Sequence, residues 1–193
     1  MEILEAATKK PPTVHLVIGY PVRKEWSDHY QVVVQECKRA VDTVIAFAEI
    51  WGFLGTAPVP IVPSESSILP TELKNLSEEL LNAASELGKD AEAFGLAIDR
   101  VIEAKLPAKE GGRGVKDCVI LEQSLGLTRA LRAQHLTHPC IFASSNTSDF
   151  AFAKTDRPHP ILAPYFNNAN TQLTYAVSLN AAVSNLKSSG WTP

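Results

Sequence analysis

The chain has 193 residues, of which 45% are hydrophobic and 20% charged, proportions that fit one globular domain with a substantial core. A formal net charge of −3 provides no overall positive face for nucleic acid. No apolar run approaches the roughly 20 residues that span a bilayer, and Met1–Pro12 has no secretory signal core, which predicts a cytoplasmic protein without a membrane partner.

The first clear element is Val14–Ile18, short, β-branched and flanked by Pro11-Pro12 and Gly19-Tyr20-Pro21, the pattern of a strand between turns. A helix is expected from about Val22. Its apolar stripe would be Val33, Cys37, Ala40, Val41, Val44, Ala48 and Trp51, repeating every three or four residues. Gly52, Gly55, Pro58, Pro60 and Pro63 stop it, and Leu54–Ser67 reads as an irregular, proline-rich connection. Two further helices follow, one near Pro70 to Leu87 and one capped by Asp90, ending before Pro107. Together they form an expected helical insertion over about 70–105 in a single domain covering 1–193.

Lys109–Lys116 is basic and glycine-rich. With Arg100, Lys105, Arg129 and Arg132 it could form a positive patch, although a solvated helical face accounts equally for these residues. Its Gly111-Gly112-Arg113-Gly114 lacks the lysine and the preceding strand of a phosphate-binding P-loop. Asp117 stands at or just before a helix carrying Ile120, Leu121, Ser124, Leu127 and Leu131. Cys140–Ala143 reads as a buried strand opening into the polar stretch Ser144–Asp149, and Leu173–Val177 as another strand. Ser178 would cap a closing helix. The three cysteines, Cys37, Cys118 and Cys140, have the spacing of neither a zinc site nor a disulfide framework and read as buried reduced thiols.

Strands alternating with helices imply a mostly parallel sheet covered on both faces, and such sheets gather ligands at the carboxyl ends of their strands. Glu25, Asp117 and Asp149 meet that condition. Carboxylates crowded together repel unless a cation neutralises them, and hard oxygen donors suit Mg²⁺ or Mn²⁺. Each acid has a plainer reading. Glu25 would serve equally as a first-turn acid, Asp117 as an N-cap and Asp149 as a turn residue. Glu122, five residues after Asp117, is a secondary candidate on another side of the helix. His15, His29, His135 and His138 show no zinc-motif spacing.

The segments Val17–Trp26, Lys116–Ile120 and Ile141–Phe150, in this order, resemble the PIN domain. The first is similar to the family's second strand, proline-containing turn and acid-bearing helix. The second resembles the helix start with the third acid, and Ser144-Ser145-Asn146-Thr147-Ser148-Asp149-Phe150 is the most specific match. The tail from His159 to Trp191 is similar to the last strand and helix. The resemblance spans about residues 14–186 and implies a three-layer α/β/α fold with inserted helices. It also implies a Mg²⁺- or Mn²⁺-dependent endoribonuclease using Glu25, Asp117 and Asp149 as metal ligands, with Ser145 and Asn146 positioning substrate or water. RNA is the implied partner, with an antitoxin or other protein for members that act as toxins, and a C2 homodimer is the default assembly.

The chain departs from the family at its start. Met1–Lys10 resembles the helix after the family's opening strand, so the aspartate ending that strand is not in this sequence. Either the start is displaced, or the chain is a degenerate PIN-fold module that binds RNA or protein without cutting. A third alternative is an unrelated α/β domain whose acids cap helices.

Overall fold

In the computed structural model, residues 2–54, 68–109, 111–152, 155–166 and 168–192 are described. The fold is mixed α/β and dominated by helix, with short parallel strands in two small sheets. The chain divides into two compact units, one made of Met1–Pro21 with Ser85–Pro193 and the other of Val22–Ala84. Among the described residues no helix is long and apolar enough to cross a membrane.

The first unit opens with α1 (Glu2–Thr8), which buries Ile3 and Ala6. Strand β1 (Val17–Ile18) is shorter than expected and pairs in parallel with β2 (Ser85–Glu86), Val17 opposite Ser85 and Ile18 opposite Glu86. A two-residue, exposed Ser-Glu strand carries no period-two pattern, so sequence alone could not expose β2. Helix α4 (Ala91–Ile102) starts as expected at Asp90, whose carboxylate accepts from the Glu92 amide. Helix α5 (Val115–Ala133) packs on α4 through small side chains, Ala97, Ala108, Cys118 and Val119, which allow close approach. Gln123 on α5 ties both strands of the first sheet. Its Oε1 accepts from the Tyr20 amide at 2.9 Å, and its Nε2 donates to the Gly88 carbonyl at 2.8 Å.

Strand β3 (Cys140–Ala143) pairs in parallel with β4 (Leu173–Ala176) in full register, Cys140 opposite Leu173 through Ala143 opposite Ala176. Between them lie the one-turn helices α6 (Thr147–Phe150) and α7 (Ala163–Phe166). The chain closes with α8 (Leu179–Ser188), capped as expected by Ser178, whose Oγ accepts from the Ala181 amide at 3.1 Å. The main core joins Leu121, Leu125, Phe142, Phe150, Leu162, Phe166, Leu173 and Tyr175. The Phe142 ring meets those of Phe150 and Phe166 at centroid distances of 5.1 and 5.6 Å, within the range of favourable tilted aromatic pairs. Complete burial of Phe150 fixes α6, and with it the position of Asp149.

The second unit contains α2 (Val22–Leu54, 33 residues) and α3 (Leu69–Ala83, 15 residues). Arg23 Nη2 donates to the Leu81 carbonyl at 2.7 Å, Trp26 Nε1 to Ser77 Oγ at 3.1 Å, and Lys74 lies over the Tyr30 ring. Advancing along α2 means retreating along α3, so the helices run antiparallel. The expected stripe on α2 is only partly covered. Ala48 is buried and Cys37 and Val41 half-buried, whereas Val33, Ala40 and Val44 are exposed. The Trp51 side chain and the 55–67 connection lie outside the described residues. The helical stretch expected over 70–105 is divided between the units, α3 falling in one and α4 in the other.

Candidate functional site

Asp117 occupies the first turn of α5 rather than its cap. The N-cap is Gly114, at φ +86°, and it supplies no side chain. A Cβ there would lie 2.7 Å from the Pro107 carbonyl oxygen, so the turn into α5 requires glycine for both its conformation and its space. The capping alternative for Asp117 is thereby overturned. Its half-buried carboxylate sits on the helix's positive end, where an anion is favoured.

Asp149 lies in α6, which follows β3 and the Ser144–Asn146 turn, and its side chain is 7% exposed. Between the two acids stands Asn146. Its Nδ2 donates to Asp149 Oδ2 at 3.0 Å and to Asp117 Oδ1 at a longer 3.4 Å. One carboxamide thus links carboxylates that come from segments 32 residues apart in sequence. Ser148 Oγ lies 2.9 Å from both Asn146 Oδ1 and Asp149 Oδ1, orienting the amide and the acid together. Lys109 closes the arrangement with its ammonium, in ion-pair contact with Asp149 Oδ1. Burial works to raise the Asp149 pKa, but hydrogen bonds from Lys109, Ser148 and Asn146 outweigh it and hold the carboxyl below its ordinary range. Asp149 is therefore an anion at neutral pH.

The remaining expected site residues fall elsewhere. Ser145 is exposed, and its backbone carbonyl accepts from the Thr147 amide, while the neighbouring Ser148 supplies the hydroxyl that touches the acids. Glu25 lies in the first turn of α2, in the other unit. Glu122 is buried and engaged by Arg100 Nε, whose Nη1 also donates to the Leu106 carbonyl at 2.9 Å. The Arg100 guanidinium stacks over the Tyr165 ring, 4.3 Å from its centroid. Glu122, the secondary candidate, thus takes part in a buried pair joining α4, α5 and α7.

Two participants escaped the sequence reading, Lys109 and Ser148. Lys109 was visible as a basic residue of a glycine-rich loop, but its pairing with an acid 40 positions away leaves no local pattern. Ser148 differs from Ser145 only by its place on the one-turn helix.

Among the described residues, no group of three or more His, Cys, Asp or Glu side chains is placed to hold a metal ion. The hard oxygen donors here are the two carboxylates, since Asn146 turns its Nδ2 toward both acids and its Oδ1 toward Ser148. Such a pair suits Mg²⁺, which commonly takes one or two carboxylates and keeps water in its other positions. The residues present therefore fit such an ion. No family model, curated protein or solved structure matches the chain.

Proposed function

We propose that the chain is a PIN-like, metal-dependent ribonuclease in which Asp117, Asn146 and Asp149 form the ion-binding part of the active site. The observation that carries this reading is the Asn146 amide shared by two carboxylates of remote segments. Those segments are the ones whose sequences resemble the acid-bearing parts of the PIN family. A three-layer arrangement with Glu25 as a further acid belongs to the proposal.

Asp117 and Asp149 would hold Mg²⁺ or Mn²⁺, which when bound supplies an activated water and offsets charge on the leaving oxygen of an RNA phosphodiester. Ser148 and Asn146 keep the Asp149 carboxylate in one orientation, so little reorganisation would be needed on binding. Lys109, which meets Asp149, and the basic residues Arg113 and Lys116 of the same stretch would offer positive charge to a phosphate chain.

A second reading, a degenerate PIN-fold module that binds RNA or a protein without cutting, is favoured by one observation. The Lys109 ammonium pairs with Asp149 and offsets its charge. Incubation of end-labelled single-stranded RNA with the full chain and Mn²⁺ separates the two. The nuclease reading expects cleavage that falls at least about a hundredfold in Asp117→Asn and Asp149→Asn, in the range expected when a group stabilising developing charge is lost. RNA binding without Mn²⁺-dependent cleavage would establish the binding module instead.

A further inference from the structure

Helix α3 runs beside the first part of α2. Arg23, Trp26 and Tyr30 meet Leu81, Ser77 and Lys74 in turn, so the two helices advance residue for residue in opposite directions. At that register Leu69, the first residue of α3, comes level with Gln35. Apolar residues continue along α2 past that level and stay open to solvent. Val33 is 59% exposed, Val44 53% and Phe47 54%, and Ala40 is exposed between them.

These residues belong to one repeat. Tyr30, Val33, Cys37, Ala40, Val44 and Phe47 follow one another at alternating steps of three and four, the spacing of a left-handed helix–helix seam. Their sizes are symmetric about a point between Lys38 and Arg39. Cys37 and Ala40 are the small inner pair, Val33 and Val44 the next, and Tyr30 and Phe47 the outer. In sequence the symmetry reaches one step further, to Trp26 and Trp51. A two-fold antiparallel pairing sets such positions opposite each other, and an isologous interface needs this self-complementarity. Small residues at the centre let two backbones approach, since the separation of packed helices follows the side chains between them. On α3, Leu69 and Leu73 are 43% and 54% exposed. At about 100° per residue they fall on the flank of α3 that adjoins the α2 seam, so the two helices line one apolar groove.

We propose that this groove holds α2 of a second copy of the chain, the two α2 helices lying antiparallel about a two-fold axis between Lys38 and Arg39. Symmetry then brings the later turns of each α2 level with the partner's α3. Each 33-residue helix is thus flanked by two 15-residue helices, its own and its partner's. Lys38 and Arg39 point about 130° away from the seam, which keeps their charges in water. The repeat is about 40 Å long, and a contact of that length and two helix diameters in width buries about 800 Å² on each copy, the size of a standard stable interface. The inference stands on its own and does not depend on the nuclease reading.

Sedimentation equilibrium of the full chain at about 50 μM reads the association directly, for wild type, Val33→Glu, Val44→Glu and Ile102→Glu. Val33 and Val44 are half exposed, so a single chain tolerates a charge there. Pairing would bury that charge, and association should weaken at least about thirtyfold. Ile102, 76% exposed on α4 and part of neither α2 nor α3, is the control. The expected result is a dimer for wild type and Ile102→Glu and a monomer for both valine variants, all with the same circular dichroism spectrum. Direction is read from Ala40→Cys oxidised by dissolved oxygen, whose inter-chain disulfide should join Cys37 to the introduced thiol. A bond between the two introduced thiols would mean a parallel pairing and overturn the proposal. So would a monomeric wild type, or a dimer that survives both Val33→Glu and Val44→Glu. A wild-type monomer that sediments with vesicles of anionic phospholipid would also overturn it, giving the groove to a lipid surface.

Discussion

Asp117 and Glu122 lie five residues apart on α5, yet their surroundings give them opposite work. Glu122 is buried, and Arg100 from α4 meets it with a guanidinium that also binds a backbone carbonyl and stacks on Tyr165. Every charge in that region is spoken for, and its contribution is to join three elements. Asp117 is half-buried at the helix's positive end and is linked by an amide to a second carboxylate. The first region is closed by its own cation. In the second, Asp149 is met by Lys109, which approaches from an exposed loop. The contrast shows why residue type alone does not identify a site acid: the deciding property is whether the fold supplies a fixed, buried counter-charge.

The largest effect should come from breaking the closed region. Glu122→Ala leaves the Arg100 guanidinium buried without its anion, and loss of one partner of a buried pair costs about 3–5 kcal/mol. Urea denaturation should register that loss, whereas Asp117→Ala should cost about 1 kcal/mol or less, the scale of a half-buried acid at the positive end of a helix. Equal losses for the two variants would remove the distinction between the regions. Replacing both members, Arg100→Met with Glu122→Leu, should recover most of the stability lost in Glu122→Ala.

A smaller effect is expected where the two regions join. Gly114→Ala would force a left-handed residue into contact with the Pro107 carbonyl, costing about 1–3 kcal/mol. Because Gly114 sets both the start of α5 and the end of the Lys109 loop, this variant should also alter Mn²⁺ affinity. Asparagine, which tolerates positive φ better, should remain destabilising because the missing 2.7 Å is steric. Thermal melts of the two variants check this, and a melting temperature unchanged in Gly114→Ala would show that the turn relaxes freely.

The mildest probe reads the closed side without mutation. Burial pushes the Cys118 thiol up to about 11, so at neutral pH it is protonated as well as inaccessible. Alkylation of the native protein at pH 7.5 followed by peptide mass mapping should label Cys140 well before Cys118. Labelling of Cys118 at the rate of Cys140 would mean that the α4–α5 layer opens readily. The same measurement on Glu122→Ala should show Cys118 accelerated, linking the buried pair to that layer.

Much of this was legible in the sequence, for reasons that differ by element. Asp90 and Ser178 could be assigned as caps because a cap is a local hydrogen bond, and both assignments hold. Cys140–Ala143 and Leu173–Ala176 are strands because apolar runs bounded by turn residues have few other fates. Asp149 and Asn146 stood out through their motif, and the structure brings them to Asp117. What stayed hidden was pairing at a distance. Nothing near Glu122 announces Arg100, 22 residues earlier, and nothing near Asp149 announces Lys109. Periodicity also overstated burial on α2, since a 33-residue helix paired with one of 15 residues leaves apolar positions such as Val44, Phe47 and Ile50 exposed.

The account turns on whether the carboxylates joined through Asn146 take up a divalent ion. Electron paramagnetic resonance of free Mn²⁺, followed as the full chain is added, measures this directly. The account predicts saturable loss of the free-ion signal with one ion bound per chain, abolished in Asp117→Asn/Asp149→Asn and retained in Glu122→Gln. Uptake that survives in the double variant, or no uptake by the wild-type chain, would contradict it.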